Sequence, residues 1–480
     1  MPSNARLVTV EDRTACTPVH VVWELTLACD LKCQHCGSRA GKRRPEELST
    51  AECIDLVRQL AELGARHVTL IGGEAYLRRD WIEIIRAIRD AGMDCTLQTG
   101  GLHLSKALIT KAVKAGLQGI GVSIDGLADL HDRLRGVKGS FDAAFSVIRQ
   151  ARAQKLSIST NTQITSLIVP QLRKLMRRLI KAGVEHWQLQ LTVAMGRAAD
   201  NPEILLQPYE LLEVMPLLAD LYKEGVKKGI LIQPANNIGY FGPYESLWRG
   251  NGDDRVHWVS CNAGQNTIGI EADGTIKGCP SLPTSPYSGG NIRDLSLRDI
   301  WQSSPEVGFT RKRTTDDLWG FCRSCYYADI CRGGCTWTAH VLFGRAGNNP
   351  YCHHRTLELA RQGLRERVVR VAPAPGRPFD HGHFDLVVEP LSEDAPSTGP
   401  MLTASSNNVS GLVSIQPLPR RTRLAPPLLV VCRGCHRHVA LDAVFCPHCG
   451  GDVGALAREY KKKLRVARQA QDDLLKELGV

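Results

Sequence analysis

Cys29, Cys33 and Cys36 stand in the run Leu-Ala-Cys-Asp-Leu-Lys-Cys-Gln-His-Cys-Gly at 27–37, a C-x3-C-x2-C spacing. Three thiolates hold a four-iron cluster by three of its irons and leave the fourth open. An open iron binds and reduces a ligand, whereas a fully ligated cluster passes electrons. The loop therefore points to an iron–sulfur cluster used for chemistry. More thiols follow in two sets. Cys261, Gly274-x4-Cys279, Cys322-x2-Cys325-x5-Cys331-x3-Cys335 and Cys352 form one; Cys432-x2-Cys435-x10-Cys446-x2-Cys449 forms the other. Seven cysteines do not divide into two complete zinc sites, which argues against a pair of zinc knuckles in the first set. The second set has knuckle halves, Cys-Arg-Gly-Cys and Cys-Pro-His-Cys-Gly, and suits Zn2+ in a short ribbon that needs the metal to fold, with a single iron as the alternative. His448, between two of those ligands, reads as solvent-facing. Cys16, Cys53 and Cys95 have no partner pattern, and buried apolar packing is their default.

The elements that must position these thiols are legible in the chain. With 480 residues it suggests two to four domains. Residues 1–16 contain no apolar signal core, and no apolar run approaches the ~20 residues that span a bilayer. Seventeen cysteines in such a chain favour metal ligation in the cytoplasm over disulfides. The net charge of +11 fits a basic surface or an acidic partner such as a peptide or RNA.

Residues 19–26, 67–72, 94–99, 119–124, 156–163 and 187–193 read as short buried strands. Helical patterns at 49–63, 79–91, 104–115, 140–153 and 170–182 alternate with them. Ser49 or Thr50 offers an N-cap with Glu52 in the first turn, and Gly64, Gly92, Gly116 and Gly183 offer C-caps. Six β-α repeats of about 30 residues imply a parallel sheet, as a partial barrel or a doubly wound sheet. Chemistry in such barrels gathers at the C-terminal ends of the strands, where Cys29, the Gly72-Gly73-Glu74 run and Ser123 to Asp125 fall. A helical stretch at 208–228 precedes the second cysteine set. Residues 372–427, rich in Pro, Ser and Gly, read as a largely disordered linker. In the last helix Leu456, Tyr460, Leu464, Ala467, Leu474 and Leu478 recur opposite a basic face.

The C-x3-C-x2-C loop at a strand end resembles the radical SAM superfamily, in which this loop holds the cluster that S-adenosylmethionine chelates. The resemblance implies one-electron cleavage of the sulfonium to a 5′-deoxyadenosyl radical that abstracts hydrogen from a substrate. It makes Cys29, Cys33 and Cys36 the catalytic cluster ligands. Gly72, Gly73 and Glu74 look like the family's Gly-Gly-Glu-Pro contact to the cofactor's amino group, with Ala75 in place of the proline. Ser123, Asp125 and Arg135 resemble its ribose and carboxylate contacts, and Thr99 lies in the segment where relatives have Thr-Asn-Gly. The seven-cysteine pattern resembles the SPASM extension, which carries two auxiliary clusters. By that analogy Cys322, Cys325, Cys331 and Cys352 hold one, and Cys261, Cys279 and Cys335 hold the other with an iron left open.

The implied fold is α/β: a partial (β/α)6 radical SAM barrel, then a small cysteine-rich SPASM domain, a disordered linker, a zinc ribbon and a C-terminal helix. The expected boundaries are 1–19 for an N-terminal segment, 20–235 for the barrel with its following helix and 236–370 for the SPASM domain. They continue with 371–428 for the linker, 429–453 for the ribbon and 454–480 for the basic amphipathic helix. The implied cofactors are three [4Fe-4S] clusters, S-adenosylmethionine and Zn2+. The implied function is modification of a ribosomally made peptide by crosslinking, epimerisation or oxidation. Its partners would be a peptide or protein substrate and a reducing flavodoxin or ferredoxin, with no membrane and no nucleic acid expected; the leader would be recognised by the ribbon, by the terminal helix or by a separate partner protein. Nineteen residues before the barrel are too few for a winged-helix leader-binding domain. Tetrapyrrole side-chain modification is an alternative. Anaerobic sulfatase maturation is another, although Pro280 stands where those enzymes carry an aspartate. A zinc-ribbon protein that binds nucleic acid is the non-enzymatic alternative.

Overall fold

Six short β-branched runs become the central strands of a parallel sheet: β1 (His20–Thr26), β2 (His67–Gly72), β3 (Asp94–Thr99), β4 (Gly119–Ser123), β5 (Ser157–Ile164) and β6 (His186–Leu191). The computed structural model describes residues 4–391, 402, 403 and 428–477. The six strands pair in sequence order, His20 opposite His67 and His67 opposite Asp94. The helices between them begin and end where local chemistry demands. Ser49 and Glu52 form a reciprocal capping box on the helix Thr50–Glu62, and Gly64 beyond its end takes a positive φ of 84°. Trp23, Leu70, Leu97 and Trp187 of the strands and Leu56, Ile84, Ile88 and Leu175 of the helices are all buried. Each such side chain contributes about 1.5–3 kcal/mol relative to exposure. Because the strands are parallel, Thr26, Gly72, Thr99 and Ser123 end on one rim.

Three elements differ from the sequence expectation. A helix, Ala128–Arg135, follows β4 directly, bounded by Gly126 and Gly136, both at positive φ. At eight residues it is too short for its apolar period to stand out. The sheet also extends past the predicted barrel. β7 (Leu231–Pro234) joins β6, while β8 (Thr267–Ile270) pairs parallel with β1 and continues antiparallel into β9 (Thr275–Lys277) and β10 (Ser288–Asn291). One ten-stranded sheet thus crosses the boundary expected at 235/236.

The third difference corrects the linker. β11 (Leu364–Ala372) and β12 (His383–Pro390) form an antiparallel hairpin, and β13 (Leu402–Thr403) pairs with β12. The Pro- and Gly-rich stretch between β11 and β12 is therefore hairpin-loop chemistry. This loop returns to the barrel. Asp380 accepts from Arg39 Nε at 2.6 Å, the Asp380 carbonyl accepts from Gly196 N at 2.8 Å, and Lys277 Nζ lies 4.0 Å from the Phe379 ring centroid. The rest of the predicted linker, at 392–401 and 404–427, lies outside the described residues, as do residues 1–3 and 478–480 with Leu478. No helix among the described residues is long and apolar enough to cross a membrane.

Several histidines are buried in the neutral form. Arg6 Nε donates to His67 Nδ1 at 2.6 Å, and the Asp125 backbone N–H donates to His131 Nδ1 at 3.0 Å. Burial pushes His67 down to about 3, and His131 and His340 down to about 4. Their stabilising contribution is complete above the unfolded histidine value of ~6.5 and is lost as pH falls toward the folded values. At pH 5 each costs about 2 kcal/mol. The melting temperature should therefore drop steeply between pH 6.5 and 5, with a shallower slope in His67→Gln. A flat profile over that range would contradict the burial argument.

Candidate metal centres and cofactor site

The Cys29–Cys36 loop leaves β1 at the rim and is pinned from several sides. Thr26 Oγ1 and Leu27 N donate to Glu47 Oε1 at 2.8 and 3.0 Å, and Cys29 N donates to the Gly41 carbonyl at 3.1 Å. Lys32 N and Gln34 N donate to the carbonyls of Arg135 and Leu134, while Arg197 Nε donates to the Cys33 carbonyl at 2.6 Å. Each sulfur has a donor. Leu31 N reaches Cys29 Sγ at 3.4 Å, Ala40 N reaches Cys36 Sγ at 3.4 Å and Arg135 Nη1 reaches Cys33 Sγ at 3.6 Å. Burial pushes the Cys33 thiol up to about 11 and the Cys29 thiol higher, and the neighbouring thiols add to both. Crowded thiols that resist ionisation but carry N–H donors fit a metal that takes their protons.

Gly72, Gly73 and Glu74 pass directly beneath this loop. A Cβ on Gly72 would lie 2.1 Å from the Thr26 carbonyl oxygen. One on Gly73 would lie 2.1 Å from the Ala28 carbonyl oxygen and 2.8 Å from Cys29 Cβ. Only glycine allows that approach. The Glu74 carboxylate is buried, accepting from Thr99 Oγ1 and from Gly100 N at 2.6 Å. Burial pushes it up to about 7, against those two hydrogen bonds. Among the described residues it pairs with no cation, so it suits the ammonium of an amino-acid ligand. A cavity of about 230 Å³ opens here, lined by the three cysteines, Glu74, Thr99, Ser123 and Arg135.

Asp125 plays a different part from the cofactor contact expected of it. It is fully buried, with Arg135 Nη2 at 2.5 Å, His35 Nε2 at 3.0 Å and Gln163 N donating at 2.8 Å. Burial alone would raise its pKa; the charges of Arg135 and His35 outweigh it and hold the carboxylate well below the usual range. Asp125 thus holds two residues that do line the cavity. Sequence reading missed His35, Asn161, Gln163 and Arg197. The available signal was Asn161 and Gln163 two apart on β5, which puts two amides on one face of a strand that reads as buried.

The second set of thiols gathers into two groups. Cys261, Cys279 and Cys335 lie close enough that Cys261 raises both of the others, on top of burial that pushes Cys279 up to about 12. Cys322, Cys325, Cys331 and Cys352 likewise oppose one another's ionisation after the larger effect of burial. Next to the three-thiol group, Arg313 donates to Thr336 Oγ1 at 2.7 Å, and the Tyr287 hydroxyl is within electrostatic reach of Cys261 and Cys279.

Residues 23–171 match the radical SAM superfamily, and residues 261–326 match SPASM, an iron–sulfur cluster-binding domain. The chain carries a radical SAM domain followed by a SPASM domain. AdoMet-dependent heme synthase of Methanosarcina barkeri (strain Fusaro / DSM 804) is 28% identical over 356 residues, 70% of this chain and 97% of that protein. PqqA peptide cyclase of Rhizobium meliloti (strain 1021) is 28% identical over 390 residues, 80% of this chain and 93% of that protein. Streptococcus suis SuiB bound to S-adenosylmethionine shares the fold at a TM-score of 0.56 and 19% identity, over 70% of this chain and 76% of that one.

Beyond the SPASM domain, β14 (Leu429–Val431) and β15 (His438–Ala440) form a hairpin whose loop bears Cys432 and Cys435, and Cys446 and Cys449 follow in the turns after β15. Cys432 Sγ and Cys449 Sγ are 3.8 Å apart, and Cys435 Sγ and Cys446 Sγ 3.6 Å. A tetrahedron of sulfurs each ~2.3 Å from Zn2+ has edges of about 3.8 Å, so the quartet fits that ion. His448 is buried, with Tyr327 Oη 2.9 Å from its Nε2, contrary to the solvent-facing expectation. A ribbon packed against another domain loses the exposure that its isolated sequence suggests. Cys53 and Cys95 are buried in the main core.

Proposed function

We propose that this radical SAM enzyme modifies a ribosomally made peptide, using Cys29, Cys33 and Cys36 to hold the cluster that S-adenosylmethionine chelates. The observation that carries the cofactor assignment is the buried Glu74 carboxylate, unpaired with any cation among the described residues, beside three sulfurs that each have a donor. When bound, the cluster supplies the electron that breaks the cofactor's sulfonium–carbon bond. Gly72 and Gly73 give the ligand close backbone approach, and Glu74 receives its ammonium. Arg135, held by Asp125, presents a cation to its carboxylate, and Ser123 and Thr99 offer hydroxyls to the rest. Cys322, Cys325, Cys331 and Cys352 would hold one auxiliary cluster. Cys261, Cys279 and Cys335 would hold another with an iron open to substrate or a local ligand. Zn2+ would occupy the ribbon. A flavodoxin or ferredoxin would deliver electrons, a separate protein would present the leader, and the setting would be the cytoplasm.

A relative named for cyclising a peptide, aligned over most of both chains, supports the peptide class. The heme synthase relative favours a second reading, tetrapyrrole side-chain modification. One anaerobic assay separates them. Reconstituted enzyme with S-adenosylmethionine and reductant is incubated with either a short peptide encoded beside this chain or a carboxylated iron tetrapyrrole. A mass change in the peptide together with 5′-deoxyadenosine is the expected result. Turnover of the tetrapyrrole alone would transfer the assignment.

A further inference from the structure

We propose that the four-cysteine ribbon locks the ligand loops of the second auxiliary site, and that metal at Cys432, Cys435, Cys446 and Cys449 keeps those loops in place. This rests on the reading that Cys322, Cys325, Cys331 and Cys352 hold a cluster. The ribbon grips the site from both of its flanks. On one flank, Tyr326 and Tyr327 immediately follow Cys325. Tyr327 is buried and donates to the His438 carbonyl at 2.6 Å, with Phe241 stacked on its ring at 4.0 Å. Tyr326 Oη accepts from Ala440 N at 3.0 Å, so β15 pins two successive residues of the cluster loop.

On the other flank, Cys352 caps the helix His353–Arg361. That helix offers Glu358 to Arg437 Nη1 at 2.9 Å, and Arg437 Nη2 also contacts His354. Tyr327 meets His354 edge to face, with ring centroids 4.8 Å apart, and thereby joins the two flanks. Arg433 and His438 add an ion pair to Asp254 at 2.6 Å and a contact to its carbonyl oxygen at 3.1 Å. The gripping residues depend on the ribbon's metal. Arg437 and His438 closely follow Cys435, and His448 lies between Cys446 and Cys449. The ribbon has two strands of three residues and a core of Cys432, Val439, Ala443 and Cys446. So small a core folds only with its ion. The face of β15 that a free binding module would use is therefore spent on the SPASM domain, and the buried network shields the cluster's surroundings from water.

The test uses the full-length, anaerobically reconstituted protein. Cys432→Ser/Cys435→Ser should lose its zinc and release about four of about twelve irons to a chelator at least tenfold faster than the parent. Arg437→Met, which keeps every cysteine, should retain zinc and show a smaller acceleration. Tyr327→Phe should shift the reduction potential or the paramagnetic signal of one cluster, a change that general loosening would not confine to one cluster. Adding Zn2+ to zinc-stripped parent protein should restore slow iron release. Zinc loss with unchanged iron content and release rate would overturn the proposal. The underlying reading fails separately if Cys322→Ala/Cys325→Ala retains all its iron while the ribbon is intact.

Discussion

Alanine at Cys29, Cys33 and Cys36 is expected to abolish formation of 5′-deoxyadenosine and to remove about four irons, leaving about eight in the auxiliary sites. The loss should be complete because the three sulfurs form one ligand set on a loop whose backbone is held independently of them. Glu47, Gly41, Arg197 and the carbonyls of Leu134 and Arg135 fix the loop whether or not thiols are present. The replacement should therefore fold, since it deletes sulfurs at the rim and leaves the buried face of β1, with Val21, Trp23 and Leu25, intact. Single alanines should act nearly as strongly, because two thiolates do not retain a cluster that three hold. Cofactor cleavage is read by chromatography under reductant, and iron by metal analysis of the same sample. Persistent cleavage in the triple variant would sink the assignment of this loop.

Asp125→Asn should cost about 3–5 kcal/mol and lower the melting temperature by roughly 5 °C. The aspartate is fully buried between Arg135 at 2.5 Å and His35 at 3.0 Å. Removing its charge leaves the Arg135 guanidinium buried without its counterion, while an asparagine amide would present an N–H donor to the guanidinium or the imidazole. Because Arg135 also donates to Cys33 Sγ and lines the cavity, the same change should weaken S-adenosylmethionine binding. Calorimetry on the anaerobic protein and a binding titration measure the two effects. A variant as stable as the parent, with unchanged cofactor affinity, would show that Asp125 does not hold Arg135.

Much of the barrel was legible because its signals are local. The Ser49 and Glu52 capping box, the glycines that end helices and the β-branched runs between them all act within a few residues. The hairpin of β11 and β12 was hidden because Pro and Gly in its loop have the composition of a linker. What distinguishes the two is pairing between residues such as Val368 of β11 and Leu386 of β12, together with the buried ion pair of Arg355 on the helix His353–Arg361 with Glu366 on β11. The helix Ala128–Arg135 was hidden by its shortness, although it delivers Arg135 to the cysteine loop.

By itself, the sequence determined the chemistry on offer. It placed three thiols at C-x3-C-x2-C spacing after a strand, the Gly72-Gly73-Glu74 run after the next, and two further cysteine sets of distinct spacing. Ligand type and spacing are local properties, and a parallel strand order puts every strand end on one rim. Only the tertiary structure decided how those groups are used. It turned Asp125 away from the cavity and onto Arg135 and His35. It also buried His448 and set the ribbon against Tyr327 and Glu358, more than seventy residues away along the chain. Burial and ion pairing of this kind arise between segments distant in sequence, so no local pattern carries them.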